Sequence, residues 1–127
     1  MGLVDLNHFS ITVAPDSLDG TAGFYTDVLG LRIGERPAFT FPGRWLYCGD
    51  TAVVHLLGTG EPGEAPPGTG RLDHIAFRAT GLVEMRERLR RNGVEFRERA
   101  VPGGRLHQVF VRDPNGILIE LNFPANE

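Results

Sequence analysis

Apolar and polar residues alternate along much of the chain, and where alternation lapses the spacing turns helical or the residues turn to glycine and proline. A period of two marks a strand with one buried face, and apolar residues three and four apart mark a helix. Phe9, Ile11 and Val13 line one side of a first strand and leave His8, Ser10 and Thr12 on the other. A helix is predicted from Pro15 to Gly30, with Asp16 or Ser17 as N-cap, Leu18, Ala22, Tyr25, Val28 and Leu29 as its apolar face and Gly30 as its stop. Strands are predicted next at Leu31–Arg36, Trp45–Cys48 and Ala52–Leu57.

The pattern then repeats. Asn7-His8-Phe9 returns as Asp73-His74-Ile75, each copy expected to open a strand. Thr80 is the expected N-cap of a second helix carrying Leu82, Met85 and Leu89, and Asn92-Gly93 closes it. Strands follow at Val94–Arg99, Leu106–Arg112 and Ile117–Phe123. Gly49-Asp50 in one copy and Asp113-Pro114-Asn115-Gly116 in the other turn the chain into the last strand. Both halves read βαβββ, so the expected fold is α+β. It is a single domain over 1–127, with module one at about 4–57, module two at about 71–124, and a linker at 58–70 whose glycine, proline and glutamate predict mobility.

Sorting each strand by faces places every candidate ligand opposite the more apolar side. Ile117, Ile119, Leu121 and Phe123 oppose Leu118, Glu120 and Asn122; Ala52, Val54 and Leu56 oppose Val53, His55 and Leu57; Ile75 and Phe77 oppose His74, Ala76 and Arg78. His8 and His55 are 47 residues apart and His74 and Glu120 are 46 apart, so first-strand and last-strand positions correspond between copies. The expected arrangement is a curved sheet with helices outside and a barrel-like cleft inside. Inward carboxylate and imidazole groups are costly unless paired or bound to a cation, and three imidazoles with one carboxylate form a coherent first-row metal set.

Composition narrows the choices. With 41% apolar and 23% charged residues the chain is that of an ordered globular protein. The formal net charge is -3, and outside the Arg86–Arg91 helix the arginines are scattered, so no nucleic-acid partner is expected. No apolar run approaches the roughly 18 residues of a bilayer span, and no membrane association and a cytoplasmic location are expected. All 13 basic side chains are arginine, which removes Schiff-base chemistry. Cys48 is the single cysteine and shares a face with Leu46, so a buried structural thiol is expected. His107 points with Val109 and Val111 away from the metal face, and Glu35 and Glu98 read as solvated strand charges. Trp45 and Tyr47, with Gln108 and Phe110 in the corresponding places of the second copy, are candidate substrate walls.

The paired modules, with Phe24-Tyr25-Thr26-Asp27-Val28-Leu29-Gly30-Leu31, Asp73-His74-Ile75-Ala76-Phe77, and Asp113-Pro114-Asn115-Gly116 leading into Ile119-Glu120, resemble the vicinal oxygen chelate superfamily of glyoxalases, bleomycin resistance proteins and dioxygenases. The likeness covers residues 4 to 124. It implies one divalent metal (Zn, Ni, Co, Mn or Fe) on His8, His74 and Glu120, with His55 in the fourth position, where glyoxalase I and methylmalonyl-CoA epimerase usually carry Glu or Gln. It further implies a small-molecule substrate chelated through two neighbouring oxygens, Glu120 as catalytic base with His55 as the second candidate, and a homodimer. Glyoxalase- or epimerase-like proton transfer by a lyase or isomerase is the first expectation. A non-haem iron dioxygenase is the second, although Phe110 stands where ring-cleaving relatives have tyrosine. A metal-free drug-sequestering protein is the third, and fosfomycin modification is weakened by the lack of lysine and of a basic loop.

Overall fold

The computed structural model describes residues 1–63 and 69–126, so part of the expected linker, 64–68, lies outside the described residues. The chain divides into two compact units, Met1–Glu64 and Ala65–Glu127.

The first unit contains β1 (Phe9–Thr12), α1 (Leu18–Gly23), β2 (Arg32–Gly34), β3 (Gly43–Cys48) and β4 (Thr51–Leu57). Its sheet runs β1-β4-β3-β2. β1 is parallel to β4, whereas β3 is antiparallel to both neighbours. The predicted first helix is present in three pieces: a 3-10 turn at Pro15–Ser17, α1 itself, and a wide turn at Phe24–Val28. At its end the Leu31 N–H reaches the Tyr25 carbonyl at 2.9 Å, and Gly30 supplies the left-handed φ of 83° that L side chains avoid. Leu18, Ala22, Tyr25 and Val28 are buried, as are Ile11, Val13, Leu46, Val54 and Leu56 from the alternating strand face. Each fully buried Leu, Ile or Val among them contributes about 1.5–3 kcal/mol of transfer free energy. Gly58 and Gly60, at the start of the expected linker, are anchored by N–H bonds to the Pro42 and Val13 carbonyls, both 2.8 Å.

The second unit repeats the plan with β5 (Ile75–Arg78), α2 (Leu82–Arg91), β6 (Arg97–Ala100), β7 (Leu106–Arg112) and β8 (Leu118–Pro124), in sheet order β5-β8-β7-β6. β5 is parallel to β8. α2 begins one residue later than predicted: its N-cap is Gly81, at φ 81°, and not Thr80. Asn92-Gly93 ends it as expected, the Asn92 side chain donating to the Arg88 carbonyl at 2.8 Å. Leu82 and Leu89 are buried with Val109, Val111, Ile119, Leu121 and Phe123. In the turn before β8, Oδ1 of buried Asp113 accepts the Asn115 and Ile117 N–H groups at 2.8 and 2.9 Å. The side chain thereby replaces a backbone partner and fixes the entry of the strand that carries Glu120. No helix among the described residues is long and apolar enough to cross a membrane.

Two further expectations fail for local reasons. Cys48 is exposed, not buried. It is the last residue of β3, paired with exposed Thr51 beside the Gly49-Asp50 turn, where the sheet face is uncovered. Glu98 is not simply solvated: its side chain is 24% exposed, takes Arg86 Nη2 at 2.7 Å and lies 2.6 Å from His107 Nε2. Sequence alternation showed Glu98 and His107 on strands but not that α2 sets Arg86 beside them.

Candidate metal centre

The parallel pairing of first and last strand fixes the candidate ligands in the same relation in both units. In β1–β4 the partner of His55 is Ser10, two residues after His8; in β5–β8 the partner of Glu120 is Ala76, two residues after His74. A separation of two keeps side chains on one face, so each unit joins one first-strand imidazole to one last-strand donor. His8 and His74 each stand just before the first strand of their unit, which starts one residue later than expected.

In the second unit the His74 Nε2 and Glu120 Oε1 atoms are 3.4 Å apart. The opposite ring nitrogen, Nδ1, lies 2.8 Å from Asp73 Oδ2, which as a carboxylate only accepts, so the proton belongs on Nδ1 and the lone pair on Nε2. Two electron-pair donors then face each other. That arrangement calls for a cation or proton between them. Glu120 is itself held from behind, because Asn122 Nδ2 donates to Oε2 at 2.8 Å, Gln108 Nε2 donates to Asn122 Oδ1 at 3.0 Å, and Arg99 Nε donates to Gln108 Oε1 at 2.8 Å. This chain of side chains crosses three neighbouring strands and restricts the carboxylate's rotation.

In the first unit His8 Nδ1 lies 2.7 Å from Asn7 Oδ1, which likewise leaves Nε2 available. His55 makes the other choice: its Nε2 lies 3.0 Å from the Ala52 carbonyl, leaving Nδ1 with the lone pair. Its ring is sandwiched between His8, 3.7 Å away at 12°, and Trp45, 3.9 Å away at 11°. Burial, and then the neighbouring His8 charge, lowers the His55 pKa, against a smaller opposite pull from the Ala52 carbonyl.

The donor chemistry fits a divalent ion, with one condition. All three imidazoles place one nitrogen against an oxygen, as metal-bound histidines do. The second-unit pair converges on one point as it stands. Nitrogen lone pairs lie in the ring plane, however, so the stacked His8 and His55 rings aim along parallel planes, and one must rotate for both to serve a single ion at about 2.1 Å. Within either unit, no group of three or more His, Cys, Asp or Glu side chains in a metal-holding arrangement is present among the described residues.

Of the candidate substrate walls, Trp45 stands opposite His55 and Phe110 opposite Glu120 in register. Trp45 thus corresponds to Phe110, and the sequence-based matching of Trp45 and Tyr47 to Gln108 and Phe110 is displaced by two residues. Tyr47 donates from its hydroxyl to the Glu35 carbonyl at 2.6 Å, while the Arg32 guanidinium lies 5.0 Å from its ring centroid, so it fastens β2. Gln108 is 8% exposed and belongs to the chain behind Glu120. His107 is on the α2 side with Glu98. Asp73, Asn7, Asn122 and Arg99 were not singled out from sequence. The signal for the first two was present, since an oxygen-bearing side chain precedes the histidine in both repeats.

Comparison with known proteins places the chain. Residues 5–121 match the family model of the Glyoxalase/Bleomycin resistance protein/Dioxygenase superfamily, and the chain belongs to that superfamily. It is 33% identical over 112 residues to proteins named lactoylglutathione lyase from Salmonella typhimurium and Escherichia coli O157:H7, in each case covering 82% of both chains. Its fold matches a glyoxylase/bleomycin resistance protein/dioxygenase domain from Frankia sp. EAN1pec, at TM-score 0.75 and 22% identity over 97% of this chain and 93% of that one. It also matches the Listeria monocytogenes fosfomycin resistance protein FosX, at TM-score 0.71 and 19% identity over 96% and 94%. A mutant of that protein was solved with Mn(II) and a dihydroxypropylphosphonic acid, and it matches at TM-score 0.73 and 18% identity over 97% and 94%.

Proposed function

We propose that this protein is a divalent-metal-dependent enzyme that moves a proton at the carbon beside a metal-chelated carbonyl, as a lyase or isomerase. His8, His55, His74 and Glu120 supply the ligands. The observation that carries the proposal is the facing pair of His74 Nε2 and Glu120 Oε1, each oriented from behind by an oxygen or amide partner. When bound, the metal supplies Lewis-acid stabilisation of negative charge on the substrate oxygen. The chain's own residues do the rest. Glu120, leaving the metal to act as base, would take the proton from carbon on Oε1 and return it to the neighbouring position, while Asn122 holds Oε2. His55 is the second acceptor. Trp45, opposite His55, and Phe110, opposite Glu120, each offer an apolar ring beside a donor of their own unit. The lyase names of the relatives support this class of reaction.

A non-haem iron dioxygenase is the second reading. It is favoured by the engagement of His55 with Ala52 and Trp45, which leaves His8, His74 and Glu120 as two histidines and one carboxylate. Phe110, opposite Glu120, has no proton to give to ring cleavage.

The deciding experiment loads metal-free protein with Zn, Ni, Co, Mn or Fe and incubates it anaerobically in deuterium oxide with 2-hydroxy carbonyl compounds, lactoylglutathione among them. Proton transfer predicts deuterium at the carbon beside the chelated carbonyl with a redox-inert ion. Turnover only with oxygen and iron or manganese, without exchange, overturns it.

A further inference from the structure

Four arginines that look scattered in sequence share one sheet face. In β5–β8 Arg78 is the partner of Asn122; in β6–β7 Arg97 pairs with Phe110 and Arg99 with Gln108; in β7–β8 Phe110 pairs with Glu120 and Arg112 with Leu118. Register partners present their side chains to the same side, so Arg78, Arg97, Arg99 and Arg112 share the face that carries Glu120. All four are exposed. The arrangement has one carboxylate among four guanidinium groups, in a chain whose net charge is -3.

These arginines differ in their commitments. Arg112 is tied to the Gly116 carbonyl at 2.9 Å. Arg99 gives only its Nε, to Gln108, and rests 5.5 Å from the centroid of the Phe110 ring, so its position is fixed while its two terminal nitrogens stay open to a ligand. Arg97 is its neighbour on the same face of β6, and neither Arg78 nor Arg97 faces an acidic partner among the described residues. The matching face of the first unit carries Ser10, Thr12, His55, Leu57, Trp45 and Gly34, with two guanidinium groups that are already engaged, Arg32 over the Tyr47 ring at 5.0 Å from its centroid and Arg36 on the Phe41 carbonyl at 3.2 Å.

We infer that the second sheet carries an oxyanion subsite formed by Arg97 and Arg99, with Arg78 adding field, and that the substrate bears a carboxylate or phosphonate beside its chelating oxygens. Guanidinium forks bind such groups through paired, charge-assisted hydrogen bonds. Because Arg99, Gln108, Asn122 and Glu120 form one hydrogen-bonded chain, an anion on Arg99 also pins the carboxylate proposed as base. The identity of that anion as substrate rests on the function proposed above; the subsite itself does not.

The test uses the full chain without metal, so that no ion can gather the anion. Malonate and methylphosphonate are titrated separately while the side-chain signals of Arg99, Gln108 and Asn122 are followed by 1H–15N NMR. Saturable shifts centred on these groups are expected for at least one anion, and the anion that binds more tightly identifies the head group. Arg97→Ala/Arg99→Ala should weaken binding at least about tenfold, equivalent to losing one charge-assisted contact. Arg91→Ala/Arg105→Ala, which removes two exposed charges elsewhere, should bind like the parent. Absence of saturation with both anions, parent-like binding by the first double variant, or equal loss in the second overturns the subsite. Metal affinity measured on the same samples judges the metal centre separately: its loss with anion binding intact would count against the proposed function and leave the subsite standing.

Discussion

His74 Nε2 faces Glu120 Oε1 at 3.4 Å, and neither atom has another hydrogen-bond partner among the described residues, while the far side of each group is occupied, by Asp73 and by Asn122. The pair is oriented before any ligand arrives. Outer partners of this kind typically account for 10–100-fold in metal affinity. Asn122→Ala should therefore weaken metal binding by about that factor in competition with a chelator, while the fold, read by circular dichroism, is unchanged. Asn122→Asp should weaken it further at neutral pH, because a second carboxylate beside Glu120 favours protonation. Parent-like affinity in both variants would show that Glu120 needs no support.

The stack of His8, His55 and Trp45 gives the first unit an optical reporter, since Trp45 is the single tryptophan. If one imidazole must rotate to share an ion, Zn added to metal-free protein should change Trp45 emission with the same saturation curve as binding. His55→Ala should abolish the change. An unaltered emission spectrum during stoichiometric binding would mean that the stack persists and that His55 is not a ligand.

The Arg86–Glu98–His107 cluster makes a separate prediction about stability. The Arg86 hydrogen bonds, chiefly, hold the Glu98 carboxyl below its ordinary value, against burial, which pushes it up, and with further help from His107. A depressed carboxylate stabilises the fold above its unfolded pKa and loses that contribution as pH falls through the folded one. Glu98→Gln should lower the thermal midpoint at pH 7 by a few degrees, and the gap should close below the ordinary carboxylate value of 4.5. A gap equal at pH 7 and pH 3 would show that shape, not charge, is what Glu98 provides.

Strand alternation made much of this legible. Ile11, Val54, Ile119 and Phe123 are interior as their period requires, and the repeat related His8 to His74 and His55 to Glu120 before any strand was paired. What alternation does not encode is pairing between strands. Pairing sets Trp45 opposite His55 and Phe110 opposite Glu120, so Tyr47 loses its supposed counterpart, and Cys48 is exposed where it pairs with Thr51 at the strand end. The links from Arg99 to Gln108 and on to Asn122 join residues 9 and 14 apart in sequence, and Arg86 reaches Glu98 across 12. The basic face is the same lesson, since Arg78 and Arg112 become neighbours of Glu120 only through register.

The central claim is the ligand set, and metal stoichiometry tests it most directly. Full-chain protein stripped of metal should bind one equivalent of Zn or Co. His74→Ala and Glu120→Ala should remain folded and lose stoichiometric binding, and His107→Ala, whose ring faces Glu98, should bind like the parent. One equivalent bound with unchanged affinity by either ligand variant would contradict the proposed centre.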